Sequence, residues 1–310
     1  MASQEASVAA RAERGLRVRV GRATSRLLPY LLIAPSVLTL CFLMLYPIVR
    51  VVYFSLWNNY LIVRRPIFVG LDNFRWLFQQ EVFSLIFSNT VIFTVLSVLL
   101  HLLLGLALAE LLSSKINPRW RTGFRGILIL PWMFTAVVVA LNWRLILHPL
   151  GVFNTLLSQL GLMDLSDPLN WLGLPRLALP AVILINLWRG YPFVMLMLLA
   201  ALQSIPKEQY EAAAVDGADR WARFRYVTIP NIKPVIASVG LLDTIWNFRL
   251  FDLVYLTTGG GPMNSTHVLA TYTYQLAFER FEFSKASAVV AVILAFTSVL
   301  TVFYLRFQRT

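Results

Sequence analysis

The chain has 310 residues, 58% of them hydrophobic and 14% charged. Soluble domains are about a quarter charged, so the composition points away from a soluble enzyme and towards a polytopic membrane protein. The formal charge of +12 would suggest nucleic acid in a soluble protein; in a membrane chain it marks the cytoplasmic face instead, and no nucleic-acid partner is expected.

A basic stretch opens the chain, with six arginines between Arg11 and Arg26. The apolar run that follows, Leu27–Val49, is too long for the core of a secretion signal. The sequence therefore predicts a basic cytoplasmic tail over residues 1–26, mobile over its first twenty or so residues, and a membrane domain over 27–310. The single cysteine, Cys41, lies within this first run and excludes an intrachain disulfide.

A membrane-spanning helix takes about 20 mostly apolar residues. Six segments reach that length: Leu27–Val49, Val82–Leu112, Phe124–Leu147, Leu177–Leu202, Pro234–Leu256 and Ala286–Leu305. They are too evenly apolar for barrel strands, so the expected fold class is all-α with six spans. With the N-terminus inside, the cytoplasmic pieces hold 17 of the 27 Lys and Arg residues and the outer loops hold 8. That bias predicts an N-in, C-in topology in the cytoplasmic membrane, surrounded by lipid. Between the first two spans, "FVGLDNFRWLF" predicts a short interfacial helix. "TTGGGPMNS", after the fifth span, is a strong turn signal.

Polar residues inside the spans are the candidates for a solute path. "NLWRGYPF" interrupts the fourth span and predicts a kink at Gly190 and Pro192. It supplies Asn186, Trp188, Arg189 and Tyr191 as candidate contacts. Asp243 and Asn247 in the fifth span are four residues apart and share a face, with Trp246 and Arg249 beside them. These residues either line a path or tie helices together by hydrogen bonds. Trp132, Asn142 and Trp143 in the third span are weaker candidates. His101, His148 and His267 are isolated in sequence, show no metal spacing and read as structural.

The segment of about residues 205–233 differs from everything around it. "EQYEAAAVDGADRWARFRYVTIP", Glu208 to Pro230, lies between two apolar runs yet is charged and rich in alanine. The alanines favour a helix, Gly217 suits its left-handed end and Asp219 suits an N-cap, with Arg223 in reach of its carboxylate. Trp221, Phe224 and Thr228 fall on one side of a second short helix. Pro230 is expected to stop that helix, and Pro234 to begin the next span. Apolar anchors among charges suit docking to a protein; an ordinary solvated loop is the plainer alternative.

The pattern resembles the EAA loop of binding-protein-dependent ABC importer permeases. Glu211, Ala212 and Ala213 match its opening triplet, and Asp216, Gly217 and Ala218 its "DGA". Phe224, Ile229, Pro230 and Pro234 match its end, while Val227 and Ile229 replace the usual isoleucine and leucine. "APSVLTLCFLMLYPIVRVVYFSL", "FVGLDNFRWLF" and "TTGGGPMNST" are also similar to carbohydrate permeases of the type I importer class. The resemblance implies a non-catalytic subunit that imports a sugar, polyol or glycerol-phosphate type of solute by alternating access. Its implied partners are a second homologous permease, two ATPases carrying ATP and Mg2+, and an extracytoplasmic solute-binding protein. Glu211 would hold the ATPase socket, and the fifth span would line the path. This chain has no G-x-x-x-x-G-K-[ST] phosphate loop and is expected to bind no nucleotide, cofactor or metal itself. The alternative is a stand-alone secondary transporter or channel, which would need inverted repeats or an ion-coupling carboxylate site.

Overall fold

The computed structural model describes residues 28–58, 61–62, 65–114 and 117–308. The basic tail over 1–26 lies outside the described residues. Among the described residues every regular element is helical, apart from an isolated antiparallel bridge between Trp57 and Phe68. Clustering of contacts divides the chain after Tyr53. Helix α1, Leu28–Ser55, contributes nearly all of the described part of the first unit and contains a π turn over Cys41–Leu45.

The second unit begins with α2, Asp72–Gln79, which is the expected short helix after the first span. Asn73 anchors it, because its Nδ2 donates to the carbonyls of Ser55 (2.8 Å) and Trp57 (2.9 Å). Two long helices make the centre: α3, Glu81–Ser113, and α7, Pro175–Gln203. They share the largest helix–helix contact in the molecule. Neither is amphipathic in the manner of a soluble helix; each is apolar all round, as a buried or membrane-embedded helix must be.

Four described helices are long and apolar enough to cross a membrane: α1, α3, α7 and α13, Phe283–Gln308. A fifth span is obtained if α4, Pro118–Met133, and α5, Ala136–Ile146, are counted as one broken span. The predicted continuous third span is thus corrected, since the two halves cross at 96°. Phe134 and Thr135 are extended between them, and the Thr135 hydroxyl accepts from Val138 N to start α5. A side-chain cap of that kind begins a new helix rather than continuing the old one.

Two further expectations are corrected. The predicted interruption of the fourth span is absent: α7 runs unbroken through Pro180 and Pro192. A proline removes one hydrogen bond, whereas unwinding an apolar segment would strand several backbone groups away from water. The predicted fifth span, Pro234–Leu256, starts earlier and stops sooner. Helix α10 covers Ile229–Phe248, residues 249–251 break the helix, and α11 follows over Asp252–Thr258. Pro230 therefore does not stop the preceding helix. It comes just after the π turn over Phe224–Thr228, and the helix continues through it into α10. Outside these and the charged segment, the further helices are α6, Val152–Gln159, and α12, Leu269–Tyr274.

The "TTGGGPMNS" turn is closely held. Thr258 and Thr266 hydroxyls lie 2.7 Å apart, and Asn89 Nδ2 on α3 donates to the carbonyls of Asn264 (3.0 Å) and His267 (3.2 Å). Met263 stands out at its tip, 84% exposed.

Candidate functional site

Three helices bring four polar side chains together inside the apolar bundle. Asp243 and Asn247 lie one turn apart on α10, Asn186 lies on α7 and His101 on α3. All four are buried, His101 to 1% exposure. Asn186 Nδ2 donates to Asn247 Oδ1 (2.6 Å), and Asn247 Nδ2 donates to Asp243 Oδ1 (2.8 Å). Asp243 Oδ2 meets His101 Nδ1 at 2.8 Å, and His101 Nε2 reaches the Asn186 carbonyl at 3.0 Å. The hydrogen bonds close a ring that passes through α3, α7 and α10.

The ring fixes a protonation count. A backbone carbonyl only accepts, so His101 Nε2 must carry hydrogen. Nδ1 and the Asp243 carboxyl then need one proton between them, whichever atom holds it. The pair is electroneutral in either arrangement, which suits an apolar surround where an isolated charge is costly.

Gly190 makes the ring possible. It lies one helical turn beyond Asn186, and a Cβ there would collide with the His101 imidazole. Its role is close approach. Gly190→Ala is expected to displace the ring and destabilise the fold by about 1–3 kcal/mol, as overpacking does; thermal unfolding in detergent measures it. An unchanged melting temperature would refute that role.

The ring borders a cavity of about 240 Å³, also lined by Trp132, Arg189, Phe193, Trp246, Leu250 and Asp252. The break after α10 forms part of its wall, because Leu250 lies in it and Asp252 opens α11. Phe193 stands between Trp132 and Trp246, with ring centroids 6.0 and 4.9 Å away. A second cleft of about 400 Å³ is lined by Phe134, Asn142, Trp143 and Trp188 among others. The Trp188 ring stacks on Phe134 and meets Trp143 edge-on.

The sequence candidates are thus divided. Asn186, Arg189, Asp243, Trp246 and Asn247 line the first cavity, together with Trp132. Trp188 lines the second, with Asn142 and Trp143. Tyr191 lines neither; it is buried in the core and its hydroxyl donates to the Leu128 carbonyl at 3.1 Å. Arg249 is exposed just past the end of α10 rather than inside a span. His101 was read as isolated, and the fold places it at the centre. One sequence signal points to it: Thr90, Thr94, Ser97 and His101 form a buried stripe at helical spacing along α3.

In the chain, the charged segment lies between α7 and α10. Helix α8, Lys207–Val215, ends in a left-handed Gly217 with φ +81°. Gly217 N donates to the Ala214 carbonyl (3.1 Å) and Ala218 N to the Ala213 carbonyl (2.9 Å). These two bonds make a Schellman cap, which needs positive φ at its centre. The Asp219 carboxylate then caps α9, Arg220–Arg223, accepting from Ala222 N at 2.7 Å. It is occupied there, and Arg223 Nε donates instead to the Asp219 backbone carbonyl (3.3 Å). A π turn over Phe224–Thr228 leads straight into α10.

The two arms of this segment are tied together. Tyr210 and Thr228 hydroxyls lie 2.9 Å apart, and Asn231 Nδ2 donates to Gln209 Oε1 at 2.7 Å. The tip remains open: Glu211, Ala212, Asp216 and Pro230 are exposed, and Val215 and Trp221 are 88% and 67% exposed. Trp221 stacks on Phe224, with centroids 5.6 Å apart. The Glu211 side chain has no hydrogen bond or ion pair among the described residues.

Residues 101–310 match the family described as "binding-protein-dependent transport system inner membrane component". The chain belongs to that family. Relatives of this inner membrane component extend over nearly its whole length. It is 35% identical to the sulfoquinovosyl glycerol transport system permease protein of Agrobacterium fabrum, over 92% of this chain and 91% of that one. It is 35% identical to the trehalose/maltose transport system permease protein of Thermococcus litoralis, over 91% and 94%. Among solved structures, a chain of a bacterial ABC transporter that imports the acidic polysaccharide alginate superposes with a TM-score of 0.79. That match has 26% identity and covers 94% of this inner membrane component and 98% of the alginate chain.

Proposed function

We propose that this chain is one of two permease subunits of an ATP-driven importer for a sugar or related carbohydrate. The carrying observation is the exposed, capped segment around Gly217, held rigid by its own hydrogen bonds yet leaving Glu211 without a partner. In a family of transporter permeases, such a tip is what an ATPase subunit grips. Glu211, Ala212, Ala213, Asp216, Gly217 and Ala218 act as the coupling element, with Phe224 and Pro230 behind them. Two ATPases hold ATP and Mg2+, and their closure moves the segment; an extracytoplasmic binding protein delivers the solute at the opposite face. In the membrane α10 and the bent α4–α5 pair each complete a span, which gives six with both termini cytoplasmic. The cavity beside the ring is this chain's share of the solute path, and its mix of aromatic faces and hydrogen-bonding groups suits a carbohydrate.

Affinity purification of the chain from its native membrane tests this. A second permease and an ATPase are expected to co-purify in a stable complex, with ATPase activity stimulated by a sugar-loaded binding protein. A chain that purifies alone and transports in liposomes without ATP would overturn the proposal in favour of a stand-alone transporter.

A further inference from the structure

We infer that the His101–Asp243 pair makes this chain's share of the path electroneutral and rich in acceptors, so that the solute is an uncharged polyhydroxylated molecule, with His101 as a specificity-determining positioning residue. The inference rests on the proposed reading of the cavity as part of the solute path.

Formal charge is the first argument. Four titratable or charged side chains line the cavity: His101, Asp243, Arg189 and Asp252. The first two share one proton and sum to zero, because each of their hydrogen bonds already has an acceptor at its far end. Arg189 and Asp252 are a single guanidinium and a single carboxylate. The lining therefore has no excess positive charge with which to repay the desolvation of an anionic solute.

Hydrogen-bond capacity is the second. Asn247 Nδ2 uses both hydrogens within α10, on the carbonyl and the carboxylate of Asp243. Each Asp243 oxygen has one ring partner and keeps a second lone pair, and Asn247 Oδ1 likewise keeps one. Those acceptors suit hydroxyl donors. His101 aims the carboxylate, because without the imidazole nothing in the ring holds Oδ2 in place.

The test uses the complete transporter in cells, with its binding protein, both permeases and the ATPases. Uptake is measured for lactose, trehalose and maltose, and for the anions lactobionate, sulfoquinovosyl glycerol and glycerol 3-phosphate. Accumulation of a neutral probe and of no anion supports the inference. Accumulation of any of the anions overturns it and leaves the importer proposal standing. Failure of all six, with ATPase partners present, overturns the carbohydrate reading and this inference with it.

The positioning role has its own readout. In the His101→Leu transporter, KM for the accepted sugar is expected to rise roughly 10- to 100-fold, the equivalent of one lost hydrogen bond to a charged group. Co-purification of the second permease and the ATPases with the variant chain serves as the control for assembly. An unchanged KM in an assembled His101→Leu complex overturns the assignment of His101.

Discussion

His101→Leu is expected to destabilise the protein by about 3–5 kcal/mol, because it leaves the Asp243 carboxylate buried without its partner. Adding Asp243→Asn is expected to recover most of that loss. The double variant has no buried charge, and the new carboxamide retains an oxygen for the Asn247 N–H that now reaches Asp243 Oδ1 at 2.8 Å. Alone, Asp243→Asn is expected to be mild: a neutral His101 keeps its Nε2 hydrogen on the Asn186 carbonyl, and its Nδ1 accepts from the new amide. Thermal unfolding of the four proteins in one detergent gives the cycle, with a coupling energy of about 2 kcal/mol or more expected between the two sites. Additive single effects would mean that the 2.8 Å contact between His101 and Asp243 contributes nothing specific.

The second large effect is expected at Gly217. No atom lies within 4 Å of the position a Cβ would take there, so a substitution meets no steric obstacle and acts through the backbone alone. At φ +81° a β-branched residue is strained by about 1–3 kcal/mol, whereas asparagine visits the left-handed region readily. The expected order of damage is Gly217→Asn, then Gly217→Ala, then Gly217→Val. The valine variant is expected to lose transport roughly tenfold while the chain still inserts. Glu211→Lys is the companion: the side chain is exposed and unpartnered, so folding is expected to be unaffected and coupling lost. Uptake and binding-protein-stimulated ATPase, measured together in proteoliposomes, separate the two. Equal transport by the asparagine and valine variants would refute the cap's role, and normal stimulation of the lysine variant would refute that of Glu211.

The charged segment between α7 and α10 was readable because its signals are local. Alanine propensity, a glycine after the helix and an Asp cap act over a few residues, and each is found where the sequence puts it. The one correction there concerns a proline: the sequence predicts that Pro230 stops a helix, but the helix continues through it, with a π turn just ahead. The break in the third span has Pro131 just ahead of it, inside α4, and is made by Phe134 and Thr135, both extended, with Thr135 capping α5.

By itself, the sequence determined that this protein is helical, embedded in lipid and equipped with a rigid charged turn between α7 and α10. It also placed Asp243 and Asn247 on one face, since that follows from the helical period alone. Only the tertiary structure decided what they face. His101 lies 142 residues from Asp243, and no local rule couples positions so far apart. Their pairing depends on α3 packing against α7 where Gly190 leaves room for the imidazole. Period and propensity are properties of neighbours along the chain. A closed ring of hydrogen bonds is a property of three helices at once, and it exists only when all three are in place.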